Sequence, residues 1–317
     1  MNVPYIEIKT PDSFSFEQNV SYLLRSANEC MYRVEGEFVE GERTKGDKIK
    51  GSSVYKALLV GGQRAVMKVS GKERGSLLLE LKGGEVGGSI SEELKAEAVA
   101  YVKEWFDLER DLSPFYEMAA EDPLLKEPAV QFRGLRLMGI PDLFESLCWG
   151  IIGQQINLAY AYTLKRRFVE SYGKAVESDG GIHWLFPEPE RIAALTPVEM
   201  EPLRMTVKKC EYLIGAAQAV ASGALTKPRL REAGGLKEAE KLLTGMRGIG
   251  PWTANYAIMR CLLLPDAFPI DDVGLHNAIK FQLGMDRKPS KAELLKLSEG
   301  WVGWQAYATF YLWRLLY

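Results

Sequence analysis

The hydrophobic period changes once, near Ser91, and that change constrains the fold more than any other feature of the 317 residues. Before it, apolar and polar positions alternate in short runs: Met31–Val39, Val54–Val60, Ala65–Val69 and Leu77–Leu81. Period two punctuated by Gly-Gly and Gly-Lys turns describes an antiparallel sheet. After it, Leu94, Ala98, Tyr101, Val102 and Trp105 recur at helical spacing, and Ser89 with Glu92 resembles a capping box that opens the helix. Everything beyond reads as helices joined by short turns. The expected class is therefore α+β, with an antiparallel sheet domain over 1–90 and a helical core over 91–317. A chain of this length accommodates two or three units of the usual ~100–200 residues.

Within the helical part, Asp142 to Ile152 forms one predicted helix, Gly153–Asn157 a turn, and a second amphipathic run ends at Gly173. Further helices are predicted near 207–222, 236–245, 251–263, 272–282 and 300–316. Thr196 is placed as an N-cap before a proline at the first helical position, and Ser290 with Glu293 forms a capping box.

Composition narrows the chemistry. The 47% hydrophobic and 26% charged residues are those of a globular protein. No apolar run approaches the ~20 residues that span a bilayer, and the N-terminus carries neither a basic leader nor an apolar signal core, so an intracellular protein without membrane partners is expected. Cys30, Cys148, Cys210 and Cys261 never form C-x-x-C, which argues against zinc ribbons and iron–sulfur loops and for buried thiols. The two histidines, His183 and His276, lie 93 positions apart, and G-x-S-x-G is missing, so a histidine metal site and a Ser-His-Asp triad are both disfavoured. The net charge of −2 is unevenly divided: residues 1–150 hold 19 Lys and Arg against 25 Asp and Glu, and residues 151–317 hold 21 against 17. The second part is the better candidate for a polyanionic partner.

The most informative stretch is Leu242–Arg260, where one helix ends at Gly245, Gly248-Ile249-Gly250 makes a tight turn, and Pro251 opens the next helix. Such a turn can aim several N–H groups at one anion beside a helix N-terminus. A helical hairpin that merely turns a corner would also read this way. Eighteen residues beyond Gly250 begins Phe268-Pro-Ile-Asp-Asp-Val-Gly-Leu-His276, which opens another helix.

Together these two motifs resemble the helix-hairpin-helix DNA glycosylases, and the chain is most similar to the bacterial 3-methyladenine DNA glycosylase II family, inducible alkylation-repair type. The likeness extends through Pro11–Phe16, Trp105–Leu108, Asp142–Glu145, Ile151–Gln155, Phe186–Ile192, Gly248–Tyr256, Pro269–Asp272 and Trp304–Trp313. It implies a sheet domain followed by a two-part all-α core: 141–265, containing the hairpin 236–263, and 91–140 plus 266–317, with the active site in the cleft between them. It further implies a monomeric enzyme that flips alkylated purines of the 3-methyladenine and 7-methylguanine type out of double-stranded DNA. No organic cofactor is expected, only a monovalent cation on hairpin backbone carbonyls, with no metal ligands from side chains.

The resemblance assigns roles residue by residue. Gly248, Ile249 and Gly250 grip the DNA backbone. Asp272 is the catalytic carboxylate, stabilising positive charge on the sugar, while Asp271 is read as capping the following helix. Trp252, Tyr256 and Trp313 line the base pocket, where aromatic faces hold an electron-poor purine. Phe14 and Phe16 are placed at the pocket from the first domain, whereas Trp301, Trp304, Tyr307 and Phe310 are left as core. The wedge that fills the vacated position falls on Gln155, where the family carries leucine, or on Ile156. Relatives that also nick the strand carry a Schiff-base lysine at the position of Trp252, so a monofunctional enzyme is expected. A catalytically silent DNA-binding or damage-sensing protein and a glycosylase for oxidised purines remain the alternatives.

Overall fold

The computed structural model describes residues 5–38, 49–72, 75–83, 90–178 and 180–316. Five antiparallel strands form one sheet in the order β1-β5-β4-β3-β2: β1 (Tyr5–Lys9), β2 (Arg33–Phe38), β3 (Ile49–Val60), β4 (Gln63–Lys72) and β5 (Ser76–Gly83). Val54 pairs with Val69 and Val69 with Leu79, so the alternating apolar residues of adjacent strands line up on one face. That face, with Leu58, Met67 and Leu77, packs on Val20 of helix α1 (Phe16–Leu23) and on Ala98 and Val102 of α2 (Glu92–Trp105). α1 lies inside the stretch read as all strand; its N-cap is Ser15, whose side chain accepts from Gln18 N. Val39 and Ser89 lie outside the described residues, and the side chain that caps α2 is Ser91, accepting from Leu94 N.

The remaining helices are α3 (Ser113–Glu121), α4 (Lys126–Gln131), α5 (Leu143–Ile152), α6 (Leu158–Tyr172), α7 (Pro189–Ala193), α8 (Val207–Ala221), α9 (Lys227–Arg231), α10 (Leu236–Thr244), α11 (Pro251–Ala257), α12 (Val273–Gln282), α13 (Lys291–Leu297) and α14 (Gln305–Trp313). α5 and α14 are buried along their whole length apart from Gln305, and one continuous core joins them to the sheet's inner face. Trp301, Tyr307 and Phe310 lie in that core as expected, and half-buried Trp304 packs against it.

The helical part is not purely helical. A hairpin of β6 (Lys174–Ser178) and β7 (Gly181–Leu185) follows α6, and Val176 and Leu185 cover Tyr55, Ala57 and Val66 on the sheet's outer face. β3 is thereby buried on both sides, which the sequence shows only as an unusually apolar strand. Thr196 does not start a helix either: its N–H and hydroxyl donate to Glu199, and the chain continues through turns into a single 3₁₀ turn at Glu201–Leu203. Ser290 and Glu293 do form the expected capping box. Among the described residues, no helix is long and apolar enough to cross a membrane.

Candidate active site

The hairpin is α10, the turn Gly245–Gly250, and α11. Gly248 has φ +90°, and a Cβ there would fall 2.1 Å from the Tyr212 ring, so the turn closes against α8 only with glycine. Gly250 is extended, with φ −87° and ψ 176°, and caps α11 without a side chain; Pro251 follows at the first helical position. Ile249 between the glycines is buried and anchors the turn.

α11 presents Trp252 and Tyr256 one turn apart, because residues four apart share a helix face, and Arg260 follows on the π-helical turn Ile258–Leu262 that continues it. The Trp252 and Tyr256 rings are 5.6 Å apart at 31°, and the Trp313 ring from α14 lies 6.3 Å from Tyr256 at 33°. Beneath them, the Arg260 guanidinium donates to Tyr256 Oη at 2.9 Å, Tyr22 Oη at 3.2 Å and Met138 O at 2.5 Å. Burial pushes the Tyr256 phenol up despite the nearby Arg260 charge, so the ring is a neutral wall.

Asp272 sits among these rings as the N-cap of α12. Its Oδ1 accepts from Leu275 N at 2.7 Å and from Trp313 Nε1 at 2.8 Å, and its Oδ2 accepts from Trp252 Nε1 at 2.9 Å. The two indoles therefore grip the carboxylate from both sides. The capping role expected of Asp271 belongs to Asp272 instead; Asp271 is exposed and pairs with Lys291 at 2.9 Å. None of the three donors to Asp272 is an amine.

Three residues that sequence reasoning passed over build this arrangement. Gly274 lies two positions after Asp272, and a Cβ there would meet Asp272 Oδ1 at 2.9 Å and Trp313 Nε1 at 3.2 Å, so a side chain would push the indole off the carboxylate. Asn255, inside the hairpin motif, accepts from Phe268 N at 3.0 Å and donates to Pro251 O at 3.0 Å, fixing the aspartate loop to α11. Gln154 donates to Gly248 O at 2.9 Å and to Thr253 Oγ1 at 3.0 Å. The His276 ring bridges Ile270 O and Pro289 O, holding the same loop from the other side.

Other expected residues fall elsewhere. Phe14 and Phe16 pack on Phe106, each with ring centroids 5.9 Å away, in the core joining sheet and helices rather than on the aromatic slot. Gln155 is exposed at a left-handed backbone position, φ +57°, while Ile156 is half-buried against the core. All four cysteines are free; burial pushes the Cys30 and Cys261 thiols up to about 12. No cluster of three or more His, Cys, Asp or Glu suited to a metal occurs among the described residues.

Residues 148–303 match the HhH-GPD superfamily of base excision DNA repair proteins, and residues 6–147 match the 8-oxoguanine DNA glycosylase N-terminal domain. The chain is 48% identical over 312 residues to a DNA-3-methyladenine glycosylase of Bacillus subtilis, covering 98% of this chain and 97% of that one. It belongs to the HhH-GPD superfamily. Among solved structures, a 3-methyladenine DNA glycosylase from Archaeoglobus fulgidus has the same fold, with TM-score 0.79 at 20% identity over 97% of each chain. The Schizosaccharomyces pombe 3-methyladenine DNA glycosylase solved in complex with abasic DNA matches 62% of this chain and 92% of its own, at 26% identity and TM-score 0.52. The HhH-GPD match spans the hairpin, α11 and Asp272, while Trp313 lies beyond its end.

Proposed function

We propose that this HhH-GPD protein is a monofunctional DNA glycosylase that binds double-stranded DNA and excises alkylated purines of the 3-methyladenine and 7-methylguanine type. The observation that carries the reading is the Asp272 carboxylate held between the Trp252 and Trp313 indoles. The same two rings that wall the slot orient an anion beside it.

The hairpin turn Gly248-Ile249-Gly250 holds a phosphate through its glycine N–H groups, the Ile249 N–H being taken by Met246 O, while Gln155 and Ile156 offer the wedge at the vacated position and the purine stacks in the slot. Alkylation leaves the purine electron-poor, which suits cation–π attraction to indole and phenol faces and makes it a better leaving group. The C1′–N bond breaks with its electron pair leaving on the base. Asp272 stabilises the resulting oxocarbenium-like sugar, and water adds to C1′ with its proton going to solvent. Two indole donors tune the carboxylate's position rather than neutralise it, so its charge remains available at the transition state. With Trp252 where nicking relatives carry a lysine, no imine forms and the abasic strand stays intact. A monovalent cation on the hairpin belongs to the same reading. The site's chemistry suits such an ion: its ligands would be backbone carbonyls, and Gly248 O, already accepting from Gln154, keeps a second lone pair.

Chromatography of bases released from methylated duplex DNA tests the proposal. It predicts free alkylpurines and strands that break only after alkali. Release of oxidised but not alkylated purines would overturn the substrate class, and tight DNA binding with no base release would favour the silent sensor.

A further inference from the structure

The turn that carries Gln155 and the turn that carries Gly248 come from opposite ends of the 141–265 stretch, yet one side chain joins them. Gln154 follows the C-cap of α5 and places both amide protons in the hairpin, at Gly248 O (2.9 Å) and Thr253 Oγ1 (3.0 Å). The helices behind it are in tight contact: a Cβ at Gly150 would come within 2.8 Å of Thr253 Cγ2. From the other side, buried Lys209 on α8 donates to Ile152 O at 2.7 Å, binding the last turn of α5. Next to this anchored segment, Gln155 holds φ +57°, a left-handed conformation that a non-glycine residue keeps only where its surroundings impose it.

We infer that Gln154 is a positioning residue that couples the hairpin's hold on the DNA backbone to the turn presenting Gln155. The inference rests on the proposed roles of those two turns. Only a neutral amide satisfies the geometry. Glutamate is the same length but sets a carboxylate oxygen against the Gly248 carbonyl, and both groups only accept. With the tie intact, the Gln155 turn keeps a fixed offset from the phosphate grip and meets the duplex where the base must leave. With it broken, the grip remains but the offset relaxes.

Q154E, Q154A and T253V test this in the full-length protein, using a duplex with a single 7-methylguanine either paired with cytosine or placed in a one-nucleotide bulge. A bulged base leaves the stack at little cost and needs no wedge, so the two duplexes separate positioning from general damage to the fold. For Q154E the expected result is about a tenfold loss in single-turnover excision from the paired duplex, about twofold or less from the bulge, and affinity for undamaged duplex within about twofold of wild type. T253V, which removes one acceptor while keeping the shape, shows the same pattern with a smaller loss. Equal losses on the two duplexes, or no loss in any variant, overturn the inference while leaving the glycosylase reading standing. If the Gln154 variants do not fold, T253V alone decides between these outcomes. Wild-type protein inactive on both duplexes overturns the glycosylase reading and this inference with it.

Discussion

The hairpin's two glycines make separable demands, and substituting each with alanine distinguishes a fold requirement from a DNA requirement. At Gly248 the new Cβ meets three Tyr212 ring atoms at 2.1–2.5 Å on a backbone with φ +90°. The left-handed conformation costs roughly 1–2 kcal/mol and overpacking against the ring about 1–3 kcal/mol more, so a loss of about 2–5 kcal/mol is expected. At about 2–4 °C per kcal/mol, Tm should fall by roughly 4–20 °C. At Gly250 nothing lies within 4 Å of the new Cβ and φ is −87°, so the fold gains no clash. Losing a glycine N-cap costs about 0.5–1 kcal/mol and the stiffer unfolded chain returns about 0.4–1, leaving Tm within about 2 °C of wild type. Any loss of DNA affinity in G250A then arises from the phosphate that the methyl group keeps at a distance. Thermal melts paired with binding to several undamaged duplexes make the measurement. G248A should be destabilised, and G250A should be stable yet weakened about equally on every sequence. Sequence-dependent weakening in G250A, or a Tm drop matching that of G248A, would refute the reasoning.

Two further outcomes follow from the structure. Burial alone would raise the Glu145 carboxyl, but Lys56 at 3.6 Å and Lys165 at 3.1 Å outweigh it and hold it below the usual carboxylate range. Its contribution to stability is therefore present above the ordinary carboxylate pKa and lost as pH falls through the lowered value; E145Q, which takes the carboxylate from the buried Lys56 ammonium while Lys165 keeps Glu29 at 3.3 Å, should cost about 3–5 kcal/mol near neutrality, with the Tm gap to wild type narrowing in acid. A gap that widens as pH falls would contradict the assignment. Borohydride added during turnover on alkylated DNA should trap no covalent adduct, because the groups donating to Asp272 are two indoles and a backbone N–H; a robust adduct, with its lysine mapped, would end the monofunctional reading.

What was legible in the sequence is what depends on local spacing. The change of period at Ser91 separates sheet from helices because alternation and 3.6-residue repeats leave different traces in the chain. The hairpin and the aspartate loop were legible as motifs, and the structure brings Trp252, Tyr256, Trp313 and Asp272 together. Features defined by a distant partner were not legible. The hairpin β6–β7 has five-residue strands and exists to cover the outer face of a sheet some 110 residues earlier in the chain. Asp271 and Asp272 are adjacent acids at a helix start, and only the Lys291 ammonium across the loop shows which one turns outward. Phe14 and Phe16 are assigned to the pocket through the family resemblance, and the structure packs both rings on Phe106. Gly274 left a usable signal, a glycine in the first turn of a predicted helix where it costs helix stability without evident reason. Gln154 and Asn255 left none, since the contacts that tie one segment to another, Gln154 to Gly248 O and Asn255 to Phe268 N, are to backbone groups on separate segments.

The most direct test of the account is the single-turnover rate of base release by D272N. Asparagine caps a helix as well as aspartate, so α12 should keep its first turn and Tm should move by only a few degrees. The charge is lost: a carboxylate about 4 Å from an oxocarbenium-like sugar, at an effective dielectric of about 20, is worth about 4 kcal/mol, or roughly 10³ in rate. The account predicts a fall of at least about 10² in excision with affinity for undamaged duplex nearly unchanged. Excision by D272N within about threefold of wild type, with D271N the slow variant instead, would contradict it.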